Sequence, residues 1–128
     1  MQTSAQRFTL TKNTTNEFYI IIKQDASTLP MEIMPEDTFV VKLFNLSDSS
    51  LVTTLDNSVK PDGSVTVYDA KNGKLKITFT ESFVNNLRME RGDRADYYYS
   101  KPLYRLIIEA QTQNNGDFVA TVDKVYVR

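Results

Sequence analysis

The sequence predicts an all-β chain, largely antiparallel, folded as two sheets packed face to face or as a barrel, with one short helix. Three observations carry this. β-Branched and aromatic runs recur about every ten residues with turn residues between them, two runs alternate cleanly between apolar and polar positions, and the intervening turns contain the Asn, Asp and Gly that tight reversals require.

Strands are expected near 7–12, 17–23, 38–46, 50–55, 64–69, 74–80, 102–112 and 117–127. Leu75, Ile77 and Phe79 alternate with Lys74, Lys76, Thr78 and Thr80. Tyr104, Leu106, Ile108 and Ala110 alternate with Arg105, Ile107, Glu109 and Gln111, so each of these strands is expected to bury one face and wet the other. Asn72-Gly73 and Asn114-Asn115-Gly116 read as hairpin turns, and Pro61-Asp62-Gly63 as a turn in which Pro presets φ and Gly supplies a left-handed exit. In the last strand the apolar phase runs Phe118, Ala120, Val122 and then changes to Val125 and Val127, which predicts a β-bulge near Asp123-Lys124.

One segment, near 81–90, has helical spacing: Phe83 and Leu87 share a face, Thr80 is placed to cap the N-terminus, Glu81 sits in the first turn and Arg88 near the end. About two turns of helix cannot stand alone, so docking of Phe83 and Leu87 between the sheets must hold it.

The 128 residues fit one domain, expected to span 7–128 behind a flexible polar N-terminus at 1–6. A 41% hydrophobic, 24% charged composition supplies enough apolar surface to offset ordering entropy. The formal net charge is −1, with five basic and eight acidic residues in 1–64 (−3) and ten basic and eight acidic in 65–128 (+2), too little field to draw in nucleic acid or an anionic membrane. The longest apolar run, Phe18 to Ile22, is too short to span a bilayer, and the first residues lack a signal-peptide pattern.

The absence of Cys and His removes disulfides, thiolate nucleophiles, zinc clusters and imidazole bases. The sixteen acids are scattered through turns and strand exteriors, as in Glu36-Asp37 and Asp93-Arg94-Ala95-Asp96, and read as solvated surface. No Ser or Thr has an activating context, and neither a P-loop nor a dinucleotide glycine motif is present. The residues therefore point to no catalytic, metal or cofactor site. Arg91-Gly92-Asp93 reads as a turn leaving the helix, and Asn13-Thr14-Thr15 and Asn45-Leu46-Ser47 match a glycosylation sequon without a secretion signal.

The most unusual stretch is 88–102, rich in arginine and tyrosine. Arg88, Arg91, Arg94, Tyr97, Tyr98 and Tyr99 are the types that dominate interface hot spots, since each brings large area and directional hydrogen bonds. The competing reading is structural: the tyrosines begin the next strand, and the arginines pair with Glu90, Asp93 and Asp96.

The order of these signals resembles the immunoglobulin-like domains of tailed-phage baseplate and tail-fibre proteins. The matching stretches are Phe8-Thr9-Leu10-Thr11-Lys12, Glu17 to Ile22, Asp37 to Leu43 with Ser50-Leu51-Val52, Asp69 to Phe79, the helix ending at Leu87, Tyr104 to Ile108, and Lys124-Val125-Tyr126-Val127. The resemblance implies an immunoglobulin-like sandwich of seven or eight strands and a non-enzymatic virion structural protein, made in the host cytoplasm and joining other virion proteins in multiple copies without nucleic acid or membrane. Domains of that family often continue into a coiled coil or receptor-binding domain; this sequence ends after its last strand, which implies an adaptor, collar or decoration subunit. The alternative is a carbohydrate-binding sandwich that stacks host-surface glycans on Tyr97, Tyr98 and Tyr99.

Overall fold

The computed structural model describes residues 7–23, 29–89, 102–113 and 116–128. The expected tail at 1–6 lies outside them. The elements in order are β1 (Arg7–Leu10), β2 (Asn16–Ile21), β3 (Thr38–Asn45), β4 (Leu51–Leu55), β5 (Gly63–Asp69), β6 (Lys74–Phe79), α1 (Glu81–Asn85), β7 (Tyr104–Thr112) and β8 (Gly116–Val127). All eight expected strands are present, most within two residues of their expected ends.

Alternation decides which face is buried. Leu75, Ile77 and Phe79 of β6 are fully buried, as are Leu106 and Ile108 of β7, while their odd-phase neighbours remain partly exposed. One hydrophobic cluster fills the space between the sheets, with Leu10, Ile20, Val41, Leu43, Leu55 and Val122 among its members. With no disulfide available, burial of this cluster is the dominant stabilising term.

The strands form a five-stranded sheet, β1-β8-β7-β3-β4, and a three-stranded sheet, β2-β6-β5. All pairings are antiparallel except β1 with β8, which is parallel from Arg7↔Lys124 to Leu10↔Val127. After β1 the chain crosses to the other sheet. Asn16 folds the connection by donating from Nδ2 to the carbonyls of Thr11 and Thr14 and accepting Thr11 N–H at Oδ1. The Phe8 and Phe18 rings then stack across the sandwich at 4.5 Å. This distribution, with the second, fifth and sixth strands in one sheet and the third, fourth, seventh and eighth in the other, is that of an immunoglobulin-like sandwich. Tyr104 at the start of β7 supports the assignment: its hydroxyl accepts Arg88 N–H at 3.0 Å, tying the penultimate strand to the connection before it.

The helix is shorter than expected. Thr80 is the N-cap, accepting Phe83 N–H at Oγ1, and Phe83, Val84 and Leu87 are buried as an inter-sheet plug. The helix ends at Asn85 with Asn86 as C-cap, so Leu87 and Arg88 lie beyond it and no basic residue occupies its last turn. The last turn tightens first, with Asn86 and Leu87 N–H bonding three residues back to the Phe83 and Val84 carbonyls, and Arg88 N–H then leaves the helix for the Tyr104 hydroxyl.

The bulge in β8 is where the change of phase placed it: Leu106 pairs with Val122 and Tyr104 with Val125, leaving Asp123 and Lys124 opposite Arg105. At the β4–β5 turn, Lys60 and Gly63 exchange main-chain hydrogen bonds. Gly63 has φ +148°, the mirror image of an extended residue and not a left-handed helical exit, and a methyl group there would collide with the Thr78 carbonyl. Gly73 closes the β5–β6 hairpin at φ +66°, packed against the carbonyls of Met31 and Ile22. The Gly116 end of the β7–β8 turn also has positive φ, whereas Asn114 and Asn115 lie outside the described residues.

Candidate interaction surfaces

Of the six residues singled out in the 88–101 stretch, Arg88 alone falls among those described; Arg91, Arg94, Tyr97, Tyr98 and Tyr99 lie outside them. Arg88 is exposed, and its charge acts on Asp48 in the β3–β4 turn. The Asp48 carboxyl is held below its ordinary range first by the Ser50 hydroxyl and N–H, and to a smaller extent by Arg88. Arg88 thus belongs to the end of the sandwich where the β3–β4 turn meets the start of β7, an end also closed by the Leu46 N–H to Leu103 carbonyl bond.

The outer face of the five-stranded sheet is built by register. Val40 of β3 lies opposite Glu109 of β7, which lies opposite Val119 of β8. In the next row Thr54, Lys42, Ile107 and Thr121 run across four strands, and beyond it Leu51, Phe44 and Arg105 lead to the bulge at Asp123. Lys42 Nζ reaches diagonally to Glu109 Oε1 at 2.9 Å, and Arg105 Nε lies 3.4 Å from Asp123 Oδ1. Apolar Val40, Phe44, Ile107 and Val119 therefore surround ion pairs whose members are 30% to 71% exposed, and Val119 is itself 58% exposed. Large apolar groups interleaved with directional charges on an outward sheet face suit a protein partner, because the apolar groups supply area and the charges supply register.

The other sheet carries a smaller aromatic patch. A bulge at Tyr68 brings it close to Tyr19 across β6, with ring centroids 4.8 Å apart in an edge arrangement and Lys74 Nζ within 5.8 Å of both rings. Asp69 beside them accepts from Asn72 Nδ2, which lowers its carboxyl pKa. At the sandwich mouth between β3 and β5 lies a cavity of about 550 Å³, lined by Ile33, Phe39, Val65, Val67 and Leu75 with Asp37 and Asp56 at its rim.

The acidic residues do more than solvate the surface. Asp37 accepts Met34 N–H on one oxygen and Gln113 N–H on the other, tying the β2–β3 connection to the β7–β8 turn. Asp62 accepts from Thr53 Oγ1 at 2.6 Å, holding the β4–β5 turn to β4. Asp56 is held down to about 2 by the Ser58 hydroxyl first and by Lys60 next. Among the described residues no three His, Cys, Asp or Glu side chains gather as a metal site, and no helix is long and apolar enough to cross a membrane.

Sequence reasoning missed the outer face. One signal was in view: Ile107 occupies an outward position in a strand whose inward phase is already apolar. Its neighbours could not be named without the β3–β7 and β7–β8 registers, which join segments more than sixty residues apart at Lys42 and Glu109.

No protein-family model and no curated protein matches the sequence. Among solved structures the chain is similar to Dpr11 IG1 bound to DIP-gamma IG+IG2, with 9% identity and a TM-score of 0.46 over 98% of this chain and 100% of that one. It is similar also to the ZIG-8–RIG-5 IG1–IG1 heterodimer, with 12% identity and a TM-score of 0.39 over 94% and 82% of the two chains. The ZIG-8 IG1 homodimer gives 12% identity and a TM-score of 0.40 over 98% and 82%. The immunoglobulin-like character of this chain stands on its own strand order, register and Tyr104 tether, with the chain's apolar core in place of the disulfide of antibody domains.

Proposed function

We propose that this chain is a non-catalytic protein-interaction module whose binding face is the outer surface of the five-stranded sheet, and that it serves as a multicopy virion structural subunit. The observation that carries the interaction reading is the grouping of Val40, Phe44, Ile107 and Val119 around the Lys42–Glu109 pair. A sheet face needed only for folding would present polar groups to water at these positions.

The virion role is supported by the near full-length resemblance of the strand signals to tailed-phage immunoglobulin-like domains. On this reading the chain is made in the host cytoplasm and assembles with other virion proteins as an adaptor, collar or decoration subunit.

Mass spectrometry of purified particles, with cryo-electron microscopy of the native assembly, tests the virion role. Recovery of the chain in stoichiometric amounts on particles is expected, and finding it free in lysate but never on particles overturns that role. The face is tested separately by Ile107→Lys, which should release the chain from its assembly partner while leaving its melting temperature nearly unchanged. Retained assembly with this variant removes the face from consideration.

A further inference from the structure

β8 is twelve residues long, and β1 pairs only with its last four, Lys124 to Val127. Among the described residues no strand lies beside Gly116 to Asp123 on the side away from β7.

The direction of the main-chain groups on this edge follows from two hydrogen bonds. The Gly116 carbonyl accepts from Thr112 Oγ1 at 2.7 Å, and the Val125 carbonyl accepts Leu103 N–H at 3.2 Å, so both face β7. Between them the bulge inserts one residue and reverses the parity. Before the bulge, even-numbered residues thus turn their N–H and C=O groups to β7, and Asp117, Val119 and Thr121 turn theirs to the open side. Such an edge is a template for another strand, and proteins commonly guard one with Lys, Pro or a covering loop. The segment Asp117-Phe118-Val119-Ala120-Thr121-Val122-Asp123 has neither Lys nor Pro.

We propose that this edge is a strand-addition site for an extended segment of a partner protein, apolar in its middle and carrying Lys or Arg at both ends. Main-chain hydrogen bonds to Asp117, Val119 and Thr121 would supply affinity, and alternate side chains specificity. On the inner face an apolar partner residue would cover Phe118, which packs against the core but is only partly buried.

Charge selects the occupant. Asp123 leans on Arg105 within its own sheet, with Nε 3.4 Å away, but its side chain stays 71% exposed. A two-fold antiparallel pairing of two copies, centred on Ala120 to use the whole edge, sets Asp117 opposite Asp123 at both ends, and like charges directly opposite oppose pairing. A partner strand with a cation at each end turns both repulsions into attractions. This inference rests on the protein-partner part of the proposed function and is independent of the virion role, since it is tested with purified protein.

The test titrates the ¹⁵N-labelled chain with acetyl-Lys-Val-Thr-Val-Thr-Val-Lys-amide and with the same peptide ended by Glu. The Lys-ended peptide should shift the amides of Asp117, Val119 and Thr121 and slow their hydrogen exchange, and the Glu-ended peptide should bind roughly tenfold more weakly or worse. Asp117→Lys combined with Asp123→Lys should reverse that preference. Val119→Pro, which removes an edge-facing N–H and leaves the β7 ladder intact, should abolish binding at unchanged fold, whereas Ile107→Lys should leave it intact. Equal binding of the two peptides, shifts elsewhere, or no shifts would overturn the proposal. So would slow exchange at Val119 and Thr121 in the free protein, or a dimer in sedimentation that Val119→Pro dissolves, because the edge would then already be occupied.

Discussion

The hydroxyl of Tyr104 accepts the main-chain N–H of Arg88 at 3.0 Å, so the residue that opens β7 also holds the chain that leaves α1. Tyr104 is buried, and its ring occupies the inner face of the five-stranded sheet while its hydroxyl reaches the connection between the sheets. Tyr104→Phe keeps the ring and orphans one partly buried N–H. A loss of about 1–2 kcal/mol is expected, measured as a lower urea midpoint at constant m-value. A smaller midpoint shift in Arg88→Ala, which keeps the N–H, would separate the tether from the arginine charge.

Gly63 is required by geometry on two counts, a φ of +148° and contact with the Thr78 main chain. Gly63→Ala should cost about 3 kcal/mol or prevent folding. Gly116→Ala is the informative comparison, because its added methyl meets nothing within 4 Å and only the positive φ of 69° opposes it. A cost of about 1 kcal/mol is expected there, and equal denaturation midpoints for the two variants would contradict the steric argument.

Adjacent residues of β7 should respond oppositely. Leu106 is fully buried, so Leu106→Ala should cost about 2–5 kcal/mol through lost burial and the cavity left behind. Ile107 points outward between Lys42 and Thr121, so Ile107→Lys should stay within about 1 kcal/mol of the parent in the same denaturation experiment. A large loss from Ile107→Lys would mean that the residue serves the fold.

Asp56 should titrate near 2 instead of the ordinary 3.8, because the Ser58 hydroxyl and then Lys60 favour its ionised form. Its folded pKa lies below its unfolded one, so its contribution to stability is complete above 3.8 and fades as pH falls through 2. Carboxyl ¹³C shifts followed against pH give the midpoint directly, and Ser58→Ala should move it upward toward 3.8. A midpoint unmoved by that change would assign the shift to Lys60 and the Ser58 main-chain N–H.

Much of the fold was legible along the chain because its cause is local. A period of two decides which side of a strand is apolar, so the buried faces of β6 and β7 could be named from Leu75, Ile77 and Phe79 and from Leu106 and Ile108. The β8 bulge was legible for the same reason, since one inserted residue shifts the apolar phase between Val122 and Val125. The Thr80 cap was legible as well, because a cap and the N–H it serves are three residues apart. The length of α1 was not: its last turn tightens at Asn86 and Leu87, and the Arg88 N–H beyond it is held by the Tyr104 hydroxyl sixteen residues downstream.

Composition and alternation by themselves determined an all-β chain of packed sheets or a barrel without thiol or imidazole chemistry, the Asn72-Gly73 hairpin, the bulge and the inward residues of β6 and β7. Tertiary structure alone decided that β1 runs parallel to β8, that Lys42 meets Glu109, that Ile107 lies among Val40, Phe44 and Val119, and that Gly116 to Asp123 has an open side among the described residues. Each of these is a pairing between distant segments. Alternation fixes the direction of a side chain relative to its own strand, whereas register and edge are set only when the whole core packs and one strand order buries every apolar face at once.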